Sequence, residues 1–162
     1  MEKLVELTDL EVWHCKLIAA SWRENAQACG ARNMLGGDSS KAHQYEHEGV
    51  CGELAYCKLF NLYPRIWDGL AAAESGNDPG DIVHDGYRID VKTTSFEEGR
   101  LLVEPHKRHS PVDFYALMVG TGKVFRLAGY APVEDVFRPE HIVSIRGRDI
   151  FGVDQWELEA RL

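Results

Sequence analysis

From residue 81 the chain reads Asp-Ile-Val-His-Asp-Gly-Tyr-Arg-Ile-Asp-Val-Lys-Thr-Thr, and this stretch restricts the fold more than any other. Asp85-Gly86 is a favoured two-residue hairpin turn, because both positions of that turn need positive φ, and it is flanked by residues rich in Ile, Val, Tyr and Thr. The pattern predicts strands over 81–84 and 87–94. With 85 and 86 as the loop, 84 faces 87, 83 faces 88, 82 faces 89 and 81 faces 90. Asp81 and Asp90 then oppose each other with Cβ atoms about 5 Å apart, which destabilises a bare sheet and which a bound cation relieves. Lys92 shares their face, whereas Ile82, Ile89 and Val91 point to the other side.

Upstream, the pattern is helical. Thr8-Asp9-Leu10-Glu11 has capping-box form, and Leu10, Trp13, Leu17 and Ala20 follow at helical spacing until Gly30, predicting an amphipathic helix over about 9–28. A polar loop over 30–40 leads to a second helix over about 41–61. That helix contains Gly49 and Gly52, each costing about 1 kcal/mol of helix propensity relative to alanine, so a close approach to its backbone is expected. Glu53 follows at once, and Glu46 lies about 20° away around an ideal helix, so the two carboxylates share a face.

Asp78-Pro79-Gly80 signals a turn before the hairpin. Beyond it, strands are expected at 113–119 and 123–130, joined by Gly120-Thr121-Gly122, with a short helix from Pro132 to about Phe137. Residues 141–146 alternate as a last core strand, and the tail around Trp156 fits strand or helix. These elements make an α/β domain with a mixed central sheet flanked by helices. At 162 residues, one domain spanning the chain can bury roughly two-thirds of the surface of its unfolded form, with a core over about 41–146.

Hydrophobic residues make up 44% and charged residues 27%, as in ordinary globular chains. No apolar run reaches 18 residues, and the N-terminus lacks signal-peptide layout, so a cytoplasmic protein is expected. Cys15, Cys29, Cys51 and Cys57 form no CxxC pair and read as reduced and buried; an iron–sulfur cluster is disfavoured because the C-terminal half has no cysteine. The net charge of −8 opposes loose attraction to a polyanion. A nucleic-acid partner therefore requires local cations, for which Lys41, Arg100, Lys107 and Arg108 are the backbone-contact candidates.

Converging carboxylates with a lysine suit phosphodiester hydrolysis. Hard Mg²⁺ or Mn²⁺ prefers oxygen ligands, polarises a phosphoryl oxygen and makes bound water a better nucleophile; a lysine orients that water or stabilises developing negative charge. Gly80-Asp81 followed by Ile89-Asp90-Val91-Lys92-Thr93-Thr94 resembles the PD-(D/E)XK nuclease signature, with Gly80 in place of the proline. Gly49-Val50-Cys51-Gly52-Glu53-Leu54-Ala55 resembles the helix that supplies an earlier acid in small phage-type members of that superfamily. The pattern Asp113-Phe114-Tyr115-Ala116-Leu117, then Leu127-Ala128-Gly129-Tyr130, is similar to the strands completing such a sheet, so the resemblance covers about 45–130.

The resemblance implies a restriction-endonuclease-like core and a DNA nuclease using one or two Mg²⁺ or Mn²⁺ ions, with phage replication, recombination or packaging as its setting. It implies Glu53, Asp81, Asp90 and the Val91 carbonyl as metal ligands, Lys92 as the catalytic lysine, and Glu46 as an accessory candidate.

Two other functions compete. A DNA- or protein-binding module can keep such a fold without catalysis. His43-Gln44-Tyr45-Glu46-His47 matches HxxEH, the inverted zinc-peptidase motif, with both histidines on one helix face. His106-Lys107-Arg108-His109 is either a solvated loop or a backbone clamp. Arg23 and Arg32 read as salt-bridge residues, and Trp13, Trp22, Trp67 and Trp156 as core or interface.

Overall fold

The computed structural model describes residues 4–28, 39–64 and 82–162. Strand β1 (Leu4–Glu6) leads into helix α1 (Asp9–Ala28), and helix α2 (Ser39–Leu59) precedes β2 (Ile82–His84) and β3 (Tyr87–Thr94). Strands β4 (Leu101–Val103), β5 (Phe114–Thr121), β6 (Val124–Pro132), β7 (Ile142–Ile145) and β8 (Arg148–Val153) follow, with the expected short helix α3 (Val133–Val136) after β6 and 3-10 turns at Pro105–His109, Pro139–His141 and Gln155–Glu157. No helix among the described residues is long and apolar enough to cross a membrane.

The main sheet has the order β1-β6-β5-β3-β2 and is mixed, since β3 runs parallel to β5 while its other pairings are antiparallel. Asp85 (φ 51°) and Gly86 (φ 87°) form the expected turn, and the pairs Ile82↔Ile89, Val83↔Arg88 and His84↔Tyr87 follow the register read from the sequence. Asp81, the next position, lies outside the described residues, as do Cys29, Arg32 and Trp67. Strands β5 and β6 pair through Thr121↔Val124, so their turn is Gly122-Lys123, shifted from the expected 120–122. The register slips at Leu117/Met118, where Ala128 is the extra residue of a bulge.

Alternation along β3 and β5 divides the core. Ile89, Val91, Ala116 and Met118 pack with the buried residues of α1 and α2, whereas Tyr115, Leu117 and Val119 pack with Leu101, Val103, Phe151 and Val153 of β4 and β8. These last strands belong to a separate three-stranded sheet, β4-β8-β7. The mixed sheet with flanking helices is as expected, with the helical pair on one face only: a small sheet covers the other, because the β3-to-β5 connection carries β4 and a 3-10 turn.

Helix α1 begins as its capping box dictates. The Thr8 N–H donates to Glu11 Oε2 (2.6 Å), and the Glu11 N–H donates to Thr8 Oγ1 (3.2 Å). Its packing face differs from the expected one. Leu10, Trp13 and Leu17 are exposed, while Cys15, Ile18 and Ala19 are buried with Val12 and Trp22 against the same core. Both sets have helical spacing, so periodicity did not distinguish them. Burial alone would raise the Glu11 carboxyl, but hydrogen bonds from Lys58 and Thr8 outweigh it and hold the group below its ordinary range. Glu11 therefore contributes stability above the unfolded-state pKa, and this is lost as pH falls through the lower folded value. Unfolding midpoints of the native protein and Glu11→Gln should differ near neutrality and converge in strong acid.

The region 141–146 is not a last core strand. Ile142 and Ile145 of β7 are exposed on the edge of the small sheet, and a turn at Arg146-Gly147 (φ 52° and 76°) leads to the unforeseen β8. The tail is neither strand nor long helix but the turn Gln155–Glu157, after which Glu159 bridges to Tyr130. Trp156 and Trp13 are exposed, so of the two alternatives, core or interface, neither belongs to the core.

Candidate functional site

Strand β3 projects Asp90 and Lys92 away from the helices, toward the layer between the two sheets. In the parallel register Asp90 lies beside Tyr115 and Lys92 beside Leu117. The Lys92 ammonium donates to Asp90 Oδ1 at 2.7 Å, and the Asp90 side chain is only 12% exposed. Lys107, from the 3-10 turn, brings its Nζ to 3.9 Å from Asp90 Oδ2. The Tyr115 ring lies 5.8 Å from Lys92 Nζ, and its hydroxyl donates to the Lys107 carbonyl (3.4 Å). Asp90 is thus held between two ammonium groups, one beside it on the strand and one from the crossover.

Helix α2 approaches β3 from the opposite face. A Cβ on Gly52 would stand 2.0 Å from Thr93 Oγ1, so glycine is required for this contact, whereas Gly49 faces open space. Glu53, the next residue, is half-buried on the helical layer. Burial, with a contribution from the Glu53 charge, pushes the Cys57 thiol up to about 12. The structure therefore unites Asp90, Lys92 and Lys107, while Glu53 starts from the other side of the strand. Among the described residues, no group of three His, Cys, Asp or Glu side chains is gathered to hold a metal ion.

The remaining candidates have other partners. Arg100 makes a two-point ion pair with Asp154 (2.6 and 3.4 Å). Arg108 donates to the Phe137 carbonyl (3.1 Å), its guanidinium 5.6 Å from the Phe137 ring and 5.5 Å from the Phe151 ring. Lys41 is exposed in the first turn of α2. Glu46 pairs with Arg23 (2.8 Å), and His47 Nε2 faces the Val12 carbonyl (3.2 Å) and Cys51 Sγ (3.4 Å), so these residues of the HxxEH motif serve the α1–α2 seam. His43 is exposed.

A second polar cluster was not foreseen. Tyr56 Oη lies 2.6 Å from His84 Nδ1 and 3.2 Å from Tyr130 Oη, with the His84 ring against Phe60. Burial raises both tyrosine hydroxyls above their ordinary range. The only sequence signal was the polar tip on otherwise apolar positions. Tyr56→Phe takes a hydrogen-bond partner from the buried Tyr130 hydroxyl and the part-buried His84 Nδ1 and is expected to cost about 1–3 kcal/mol, measured as a lowered denaturant midpoint at unchanged slope.

With this geometry in hand, the chain can be placed. Residues 7–123 match the model of a family of unknown function (DUF5843). The chain belongs to this family. The match includes both long helices, the β2–β3 hairpin and β5, and with them Glu53, Asp81, Asp90, Lys92 and Lys107; β6, β7 and β8 lie beyond it. No curated protein and no solved structure matches the chain.

Proposed function

We propose that this protein is a metal-dependent nuclease hydrolysing DNA phosphodiester bonds, built on a core of the restriction-endonuclease type and acting in the cytoplasm of a bacterial or phage-infected cell. The observation that carries the reading is the part-buried Asp90–Lys92 pair, two residues apart on one face of an interior strand. A carboxylate so placed is a hard oxygen donor suited to Mg²⁺ or Mn²⁺, and it already has a cation against it. Because Lys92 and Lys107 outweigh one carboxylate, a divalent ion there needs further acids. Glu53 and Asp81 are assigned to supply them, with the Val91 carbonyl as an accessory oxygen; Glu46, the accessory candidate, is instead committed to Arg23 at the α1–α2 seam.

The bound ion would polarise the phosphoryl group and its water. Lys92 then holds the attacking water or the negative charge that develops on phosphorus oxygens, and Lys107, beside the same carboxylate, meets the phosphate backbone. Its position answers the unfavourable net charge locally, because a few aligned cations suffice to hold a phosphate.

Supercoiled circular duplex, linear duplex, single-stranded and branched DNA, with an RNA control, should be incubated with the protein in Mg²⁺, Mn²⁺ or EDTA. Ion-dependent cleavage of at least one DNA, abolished by EDTA, is expected; intact substrates under every condition reject the proposal. A catalytically silent binding module is the second reading. It is favoured by the closed Asp90–Lys92 contact, and ion-independent DNA binding without cleavage would establish it.

A further inference from the structure

Helices α1 and α2 meet along a seam that carries two thiols, remote from the Asp90 face of the sheet. On α2, His47 and Cys51 are one turn apart on one face, and His47 Nε2 lies 3.4 Å from Cys51 Sγ and 3.2 Å from the Val12 carbonyl of α1. Cys15 follows Val12 by one turn of α1, so it continues the same face toward α2. There the Cys15 and Cys51 thiols hydrogen-bond to each other across the seam. Both residues are buried, whereas His47 is half-buried, so Cys51 stands one side chain from solvent.

A disulfide requires two sulfurs that can meet without backbone movement, and thiols already in contact between packed helices meet that requirement. The two sulfurs are also unequal. The hydrogen bond from the Cys15 thiol holds Cys51 below the ordinary thiol range and pushes Cys15 above it. Cys51 is therefore the sulfur that attacks, since the thiolate is the reactive form. We propose that Cys15 and Cys51 form an oxidation site, at which hydrogen peroxide converts the reduced pair into a disulfide linking α1 to α2. In the first step the Cys51 thiolate attacks one peroxide oxygen: an S–O bond forms, the O–O bond breaks, and the departing hydroxide takes a proton to become water. In the second the Cys15 sulfur displaces that oxygen: the S–S bond forms, the S–O bond breaks, and the hydroxyl leaves with the Cys15 proton as a second water. The sulfurs lose the electron pair that the peroxide gains. The link restricts the unfolded chain, so the oxidised protein is the more stable form. Cys57, on the same helix, has its thiol pushed up to about 12 and stays reduced. The inference is independent of the nuclease proposal.

The test treats the folded protein with hydrogen peroxide, then denatures it, alkylates the remaining thiols with iodoacetamide and digests it with trypsin. The expected product is the Cys15 peptide joined to the Cys51 peptide, released by dithiothreitol. Cys51 and Cys57 share one tryptic peptide, so fragmentation of the joined pair locates the bond, and Cys57→Ala should form it as the native protein does. The oxidised protein should unfold at a higher denaturant concentration, and dithiothreitol should return the midpoint to that of the untreated protein. The inference is overturned if Cys15 and Cys51 are still alkylated after peroxide treatment, or if the bond joins Cys29 or Cys57 instead. It is equally overturned if the bridge fails to raise the midpoint, which marks a strained link between sulfurs not poised to meet.

Discussion

Replacing Lys92 with alanine is expected to slow DNA cleavage by about 10²- to 10⁴-fold while the protein stays folded, a barrier increase of roughly 3–5 kcal/mol. The variant removes the ammonium 2.7 Å from Asp90 Oδ1, but Lys107 remains 3.9 Å from the other oxygen, so the carboxylate is not left without a cation. The stability loss should therefore stay within about 1–3 kcal/mol, the worth of a hydrogen bond to a charged group. Lys92→Arg keeps the charge but substitutes a planar fork for a compact ammonium, and should restore folding stability more fully than turnover. Asp90→Asn should abolish cleavage and also weaken Mn²⁺ binding, measured by calorimetry. Turnover of Lys92→Ala equal to that of the native protein would end the nuclease assignment.

The second large effect concerns two glycines of α2 that the sequence did not distinguish. Gly52→Ala places a methyl 2.0 Å from Thr93 Oγ1, 2.8 Å from its Cγ2 and 2.9 Å from its Cβ. Something must move, and the neighbour is a β-branched side chain on an interior strand, with few ways to yield. Overpacking of this kind costs about 1–3 kcal/mol, enough to exceed the gain of roughly 1 kcal/mol in helix propensity. Thr93→Ala in the same chain removes the two offending terminal atoms and should recover part of the loss. Gly49→Ala meets no atom within 4 Å and should stabilise the helix by up to about 1 kcal/mol. Chemical denaturation of the three variants checks the opposite signs. A Gly52→Ala protein as stable as Gly49→Ala would show that α2 does not rest on β3 through this contact.

Local rules were strong where one residue pair dictated geometry. Asp85-Gly86 set the hairpin register, and Thr8 with Glu11 set the start of α1, because each satisfies backbone requirements independently of distant neighbours. The side of α1 that packs was not legible, since Leu10, Trp13 and Leu17 compete with Val12, Cys15 and Ile18 at similar spacing; which set is buried depends on α2 and the sheet. The small sheet was missed for a related reason. The stretch 141–146 has the apolar content of a buried strand, yet Ile142 and Ile145 lie on an exposed edge, and the Arg146-Gly147 turn is a weaker signal than Asp-Gly. At the site, alternation placed Asp90 and Lys92 on one face, while Lys107 became their neighbour only through the crossover connection, which no short-range pattern encodes. Arg100 and Arg108 are equally suited to phosphate by sequence, and their partners, Asp154 and the Phe137–Phe151 pair, come from distant parts of the chain.

The pairing of β1 with β6 joins the first described residues to a strand from the last third of the chain, through Leu4↔Arg126, Val5↔Phe125 and Glu6↔Val124. On the ribosome, β1 emerges long before its partner exists, and Val5 and Leu7, both buried in the finished protein, must wait in water or against a chaperone. Closing so long a loop contributes little until it is complete, so sheet closure at this edge should be a late step in biosynthesis. A nascent chain stalled before residue 124 would then be more readily clipped by protease around Val5 than the released protein, because β1 has no partner strand there.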